Sequence, residues 1–204
     1  MYEPDFKKRW GGLLENPWIS KIQRDILDGG RNHYLKQILS RYQFTSVLDI
    51  GCGLGETSEA VSGDYTGVDN SLPRIRFASR QYPSRTFLIG DAQHLMFKEN
   101  SFDAGLLIDT SHHFSDDLFV SVLKEMTRIC AGYLVVSDPV CFEGQSFLSR
   151  YFYSLDRGGR FRSIEEMQRV FAQVLPIEYE RLSFFTAFPG LYRHAVFVFK
   201  LEKP

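Results

Sequence analysis

Five short apolar runs recur along the chain, VLDI, YTGVD, TFLIG, FDAGLLID and GYLVVSD, each bounded by Gly, Asp or Ser and each separated from the next by an amphipathic stretch. Runs of this length, rich in Val, Ile, Leu and aromatic residues, read as strands buried on both faces. The stretches between them suit helices. Pro73 to Gln81 follows Ser71, a good N-cap, with Pro in the first turn. Asp116 to Cys130 carries Leu118, Phe119, Val122, Leu123, Met126 and Ile129 on one helical stripe. Ser163 to Val174 opens with S-I-E-E, a cap followed by acids, and continues with Ile164, Met167, Val170, Phe171 and Val174. Alternating strand and helix predicts an α/β fold with a parallel sheet covered on both faces.

Two later runs, IEYERLSFF and HAVFVFKL, break the rhythm. Roughly five residues, including Pro189 and Gly190, separate Phe184-Phe185-Thr186 from the run starting near Tyr192, too few for a parallel crossover, so the two are predicted to pair antiparallel. Upstream, Pro17 to Arg41 reads as helical, with a break at Gly29-Gly30, and is expected over the carboxyl edge of the sheet. A chain of 204 residues then makes one domain, with N-terminal helices in 1–44 and a lid-like segment in 139–162.

Composition excludes some functions. The formal net charge of -1 offers no basic field, so neither a nucleic acid nor an anionic membrane surface is an expected partner. No apolar run approaches the roughly 18 to 20 residues of a membrane span, and MYEPDFKKRW has no apolar signal core. Cys52, Cys130 and Cys141 lack metal-ligand spacing, and no disulfide framework is implied. A cytoplasmic location is the expectation.

The first run leads into Asp49-Ile50-Gly51-Cys52-Gly53-Leu54-Gly55. After a parallel strand, glycines permit a tight turn and let a ligand approach the backbone. The spacing is GxGxG, whereas a dinucleotide fold favours GxGxxG and a phosphate loop needs a following Lys-Ser or Lys-Thr. Asp69 ends the second run about 20 residues on, where an acid can accept both ribose hydroxyls. Gly90-Asp91-Ala92 ends the third, where a carboxylate can accept from an adenine amine. A nucleoside ligand without an anchored phosphate is the reading.

These motifs resemble those of the class I S-adenosylmethionine-dependent methyltransferases over roughly residues 45 to 140. VLDIGCGLGE is similar to the first motif of that family, GVDNS to its ribose acid and GDAQHLMF to its adenine-side loop. SFDAGLLIDTSHHF resembles its fourth-strand motif, particularly in the small-molecule branch that includes quinone-biosynthesis enzymes. The resemblance implies a Rossmann-like sheet of seven strands with the last antiparallel. It implies S-adenosyl-L-methionine as methyl donor, S-adenosyl-L-homocysteine as product and a small-molecule acceptor. Carried over by position, Asp49, Gly51, Cys52, Gly53 and Gly55 form the turn beside the methionine part, with Asp49 toward its amino group. Asp69 takes the ribose, Asn70 flanks the adenine, Asp91 and Ala92 contact the base, and Asp109 and Thr110 border the methyl.

Methyl transfer requires alignment of nucleophile, methyl carbon and sulfur, and needs a base only when the nucleophile holds a proton. His112 and His113 are the candidate bases. Packing is the weightier reading for them, one imidazole beneath the cofactor and the other capping the helix near Asp116. Asp109 and Asp138 are two acids at neighbouring strand ends, yet Pro139 follows where a metal site needs more oxygen ligands, and no metal is expected. Asp138 is expected to order its strand end or bind substrate, and Cys52 to be structural.

Between Pro139 and Arg162 stand Phe142, Phe147, Tyr151, Phe152, Tyr153 and Phe161, beside Arg150, Arg157, Arg160 and Arg162. They read as a helix packed by its aromatics, or as a lid over an aromatic or anionic acceptor with one arginine turned inward. Arg24, Arg31, His33 and Tyr34 reach the cofactor carboxylate or stay solvated, and Trp10 and Trp18 are hydrophobic anchors. An amino-type nucleic-acid base methyltransferase wants a Pro-Pro-aromatic loop where this chain reads IDTSHH. A nicotinamide-dependent oxidoreductase is disfavoured by the glycine spacing. A non-catalytic cofactor-binding or scaffolding module remains as the alternative.

Overall fold

The five early runs and the two late ones become seven strands of a single sheet. The computed structural model describes residues 31–155, 159–175, 178–186 and 192–201. In chain order these form α1 (Arg31–Leu39), β1 (Ser46–Ile50), β2 (Asp64–Asp69), α2 (Leu72–Gln81), β3 (Thr86–Ile89), β4 (Phe102–Ile108) and α3 (Asp116–Ile129). They continue with β5 (Cys130–Pro139), α4 (Phe147–Leu155), α5 (Ile164–Phe171), β6 (Tyr179–Thr186) and β7 (Tyr192–Lys200). The expectations for Pro17 to Gly30, for Arg24, Trp10, Trp18 and Arg157, and for the Pro189-Gly190 turn lie outside the described residues.

The strand order is β3-β2-β1-β4-β5-β7-β6. All neighbours from β3 to β5 are parallel, and β7 runs antiparallel to both β5 and β6. The last strand thus enters between β5 and β6, and its antiparallel pairing with β6 fits the short connection before it. Alternate residues of the inner strands feed two cores. Leu48, Ile50, Leu107, Leu134, Val136, Phe197 and Phe199 join the α3 and α5 side. Val47, Leu106, Ile108, Val135, Val196 and Val198 join the α1 and α2 side. Burial on both faces is the rule for such strands, and β3 is the exception. As the sheet edge it leaves Leu88 42% and Ile89 57% exposed, so its apolar run is buried on neither side throughout.

Helix signals hold with small changes. Ser115 caps α3 by accepting from Leu118 N at 3.3 Å, and Phe119, Val122, Leu123, Met126 and Ile129 are buried along it. α5 opens with a full capping box between Ser163 and Glu166, and yields to a turn after Phe171 rather than reaching Val174. Ser71 stands at the N-cap of α2, but its side chain makes no cap bond; its backbone N–H instead donates to Asp69 Oδ1 at 2.8 Å. The loop before β1 is tied to edge strand β6, where Tyr42 donates its hydroxyl to Glu180 at 2.5 Å. Burial, followed by the Glu180 carboxylate, pushes that phenol up to about 12.

The crossover from β1 to β2 is short, one 3-10 turn at Glu56–Ala60 in place of an α-helix. A turn this brief leaves carbonyls without helical donors. Arg85, arriving ahead of β3, supplies them: Nη1 donates to Gly63 O at 2.6 Å, and Nη2 donates to Ser58 O at 3.1 Å and Val61 O at 2.5 Å. Arg85→Ala is expected to destabilise the protein by about 2–3 kcal/mol, because charge-assisted bonds to partly buried carbonyls are lost. A thermal unfolding midpoint lowered by roughly 5–10 °C is the expected reading. An unchanged midpoint would show that water replaces the guanidinium there.

Candidate functional site

The carboxyl ends of β1, β2 and β4 meet at the glycine turn, which doubles back onto the second strand. Gly51 N and Cys52 N both donate to Val68 O, at 2.7 and 3.1 Å. Gly51, Gly53 and Gly55 all take positive φ, at 73°, 54° and 83°. A Cβ on Gly51 would lie 2.5 Å from Thr110 Cγ2 and Oγ1, and one on Gly55 would lie 2.8 Å from the Phe87 ring. Two of the three glycines are therefore demanded by the protein's own packing as well as by any ligand.

Asp69, 5% exposed, is the hub of this edge. Its Oδ2 accepts from Gly53 N at 3.0 Å and its Oδ1 from Ser71 N at 2.8 Å, with Arg74 Nη1 3.8 Å away. A carboxylate has about four lone-pair sites, so two remain for hydroxyl donors. Asp49 lies lower, 1% exposed, and its Oδ2 accepts from the Tyr65 hydroxyl at 2.5 Å. One of its oxygens is thereby committed to the sheet rather than to a ligand. Burial, then Asp49, raises the Tyr65 phenol well above its ordinary value, so it stays a donor. Burial and the Asp49 and Asp69 carboxylates likewise push the Cys52 thiol far up, which removes it as a nucleophile.

Asn70 and Asp91 are exposed on the rim, and Ala92 packs against the α3-side core. Asp91 Oδ1 accepts from Gln93 N at 3.0 Å, an Asx turn that fixes the carboxylate after β3. His33 and Tyr34 are exposed on α1, with the His33 ring 2.8 Å from the Gln37 amide.

Across the edge, Asp109 follows β4 at φ 50°, with Oδ1 3.5 Å from Nδ1 of His194 on β7. Left-handed backbone is uncommon for a residue with a side chain, and it turns the chain sharply into the Ser111–His113 3-10 turn. Thr110 Oγ1 donates to Ile108 O at 2.9 Å. Neither histidine caps α3, because Ser115 does. They differ in setting: His113 is exposed, whereas His112 is 4% exposed and its Nδ1 lies 2.6 Å from Asp138 Oδ1 at the end of β5. Ser111 donates its hydroxyl to the other Asp138 oxygen. Asp138 does order its strand end, through these two partners. The Asp109 and Asp138 carboxylates are thus engaged separately, and no group of three or more His, Cys, Asp or Glu among the described residues could hold a metal ion.

Of the arginines named between Pro139 and Arg162, two are bound within the fold. Arg162, 4% exposed, donates to Ser111 O, Phe114 O and Asp116 Oδ1, and its guanidinium sits 5.0 Å over the Phe119 ring. Arg160 Nη2 also donates to Asp116, at 2.8 Å. These donors, Arg162 first, hold the Asp116 carboxyl below its ordinary value. Both arginines clamp the histidine turn. The aromatics divide: Tyr153 is buried and donates its hydroxyl to Val140 O at 2.9 Å, and Phe161 stacks on His112. Phe147, Leu148 and Tyr151 face outward, at 87%, 52% and 52% exposure.

Sequence reasoning missed the His112–Asp138 contact, Arg85 and Arg162. His112 and Asp138 were each named singly and Arg162 stood among several arginines before S-I-E-E, but nothing in the spacing paired the first two or selected the third.

Residues 48–135 match the family model of the Methyltransferase domain. The 2-methyl-6-phytyl-1,4-hydroquinone methyltransferase of Synechocystis is 33% identical over 103 residues, 46% of this chain and 32% of that protein. The fatty-acid O-methyltransferase of Mycolicibacterium smegmatis is 32% identical over 100 residues, 45% of this chain and 36% of that protein. The chain thus spans about a third of the length of these curated relatives. A crystal structure of a SAM-dependent methyltransferase from Thermotoga maritima superposes with a TM-score of 0.70 at 21% identity, covering 94% of this chain and 99% of that one. Among the described residues no helix is long and apolar enough to cross a membrane. The fold is thus that of the superposed methyltransferase structure, and the match to the Methyltransferase domain model is confined to residues 48–135, less than half of the chain.

Proposed function

We propose that this protein transfers a methyl group from S-adenosylmethionine to a small-molecule acceptor. The observation that carries this reading is Asp69, held by two backbone N–H groups beside a glycine-rich turn and keeping acceptor capacity for a ribose diol. Asp49, Asp69 and Asp91 supply acceptors at the strand ends, and Gly51, Gly53 and Gly55 a close backbone, while no Walker lysine follows the turn. That donor set suits a ligand bearing a sulfonium and no phosphate. S-adenosylmethionine supplies an electrophilic methyl group with a good leaving group. The protein's residues bind it, align an acceptor against it and exclude water.

Asp69 would hold the ribose, with Gly53 N beneath it. Asn70, Asp91 and Ala92 would border the adenine, and Asp109 and Thr110 the methyl end. The relatives named above act on a prenylated hydroquinone and on fatty acids, by their names. They support an oily acceptor, and the hydroquinone enzyme supports placement near the quinone-biosynthesis branch. Arg160 and Arg162 are bound to Asp116 while Arg150 in the same segment is exposed, so an anionic or aromatic acceptor is part of the proposal.

Incubation with methyl-labelled S-adenosylmethionine and a small-molecule extract tests turnover. Protein-dependent S-adenosylhomocysteine and a labelled small molecule are expected. Donor binding without either product would favour the scaffolding alternative.

A further inference from the structure

We infer that the outward face of α4 docks on a lipid surface, with Phe147, Leu148 and Tyr151 sunk at headgroup level and Arg150 beside the phosphates. The inference goes beyond the methyl-transfer reading and stands without it, because it concerns where the chain sits rather than what it transfers. α4 is nine residues, FLSRYFYSL, too short to cross a bilayer, and its exposure divides by face. Phe147, Leu148 and Tyr151 are 87%, 52% and 52% exposed and fall at i, i+1 and i+4, on one side of the helix. Ser149 and Tyr153, on the opposite side, are buried. A surface helix ordinarily turns its apolar residues inward, and here a serine is buried while two large apolar side chains and a tyrosine face out.

The buried side fixes the helix to the fold. Ser146 Oγ accepts from Ser149 N at 3.1 Å, and the Gln145 amide donates to Ser149 Oγ at 3.2 Å. Tyr153 donates its hydroxyl to Val140 O, directly after β5, and accepts from Arg193 N at 3.3 Å. Its ring meets Phe161 edge to face at 4.7 Å, and Phe161 stacks on His112. The helix is therefore seated at the carboxyl edge of the sheet, the edge that carries the glycine turn.

Size selects the occupant. The three outward side chains expose on the order of 400 Å² between them. An apolar patch of a few hundred Å² marks a docking site, yet a stable protein interface buries about 800 Å² on each partner. A second copy held through this face alone would pack over roughly half of that area. A lipid surface needs no complementary relief, since a helix face of this kind settles about 5–10 Å into the boundary between headgroups and acyl chains. Tyrosine suits that depth, with its ring in the apolar layer and its hydroxyl in water. Arg150 is exposed at the flank, where a guanidinium meets headgroup phosphates. The expectation against an anionic membrane concerned the whole-chain charge of -1, and Glu143 is exposed just ahead of α4. The apolar face thus supplies most of the attraction and Arg150 a smaller part. A chain seated this way holds the glycine turn's edge next to the layer in which an oily acceptor dissolves.

The test is flotation of the full chain with vesicles, in the absence of any methyl donor or acceptor. The wild type is expected to float with equimolar phosphatidylcholine–phosphatidylglycerol vesicles, and several-fold less well with phosphatidylcholine alone. Phe147→Ser is expected to weaken partition by about tenfold, and the combined Phe147→Ser, Leu148→Ser and Tyr151→Ser variant to abolish it. Arg150→Gln is expected to remove the preference for phosphatidylglycerol and leave binding to phosphatidylcholine unchanged. Because all four side chains are exposed, unfolding midpoints within about two degrees of wild type are expected throughout. A wild type that does not float, or a folded triple variant that floats undiminished, overturns the inference. Sedimentation velocity without lipid is expected to show a monomer, and a dimer that the triple variant dissolves would overturn the lipid assignment in favour of a second copy. Calorimetry with S-adenosylhomocysteine, run separately, decides the methyl-transfer reading and leaves the flotation result standing either way.

Discussion

Asp69→Ala is expected to weaken S-adenosylhomocysteine binding by about 100- to 1,000-fold, the equivalent of roughly 3–4 kcal/mol. Two ribose hydroxyls would lose an ionised acceptor, and Gly53 N and Ser71 N would lose theirs as well. The second loss matters because those two bonds tie the glycine turn to the start of α2. Asp69→Asn keeps one carbonyl oxygen and is expected to fall between wild type and alanine. Titration calorimetry on all three proteins reads the effect directly. An alanine variant that binds like wild type would remove Asp69 from the site.

Arg162→Ala is expected to cost about 2–4 kcal/mol of folding stability, lowering the unfolding midpoint by roughly 5–15 °C. The guanidinium is 4% exposed, spans two backbone carbonyls and stacks over Phe119. Most of the loss comes from those carbonyls, because Asp116 is 49% exposed and its ion pairs are weakened by solvent. Arg162→Lys is expected to recover little, since an ammonium lacks the planar fork that reaches three acceptors at once. The pH dependence has a definite sign. Asp116 is held below its ordinary value, so its contribution is present above the unfolded-state value of 3.8 and is lost as pH falls through the folded one. Removing Arg162 should flatten that acid limb. A midpoint within a degree of wild type would mean that the histidine turn stands without its clamp.

The sheet was legible because its strands are short, apolar and closed by turn residues, and because too few residues separate the last two for a parallel crossover. The capping box at Ser163 and the stripe from Phe119 to Ile129 were legible for the same local reason. Features that depend on register were not. His112 and Asp138 stand 26 residues apart and meet only because β4 and β5 end side by side, with Ile108 opposite Ser137. Arg85 looks like any surface arginine until the crossover proves to be a single 3-10 turn. β3 reads as an interior strand in sequence, and its place at the edge exposes Leu88 and Ile89.

The glycine turn shows how the two kinds of information combine. Its spacing suggested close approach of a ligand, while the structure adds that Gly51 and Gly55 have no room for a side chain against Thr110 and Phe87. Gly53 is the one whose N–H reaches Asp69. The ligand reading therefore rests more on Asp69 and the absence of a phosphate anchor than on the count of glycines.

Calorimetric titration of the full chain with S-adenosylmethionine, S-adenosylhomocysteine, a nicotinamide dinucleotide and ATP tests the central claim most directly. The account predicts that the first two bind in competition at one site and that the dinucleotide and ATP give no heat at the same concentrations. Tight binding of the dinucleotide or ATP, with neither methionine compound binding, would contradict it.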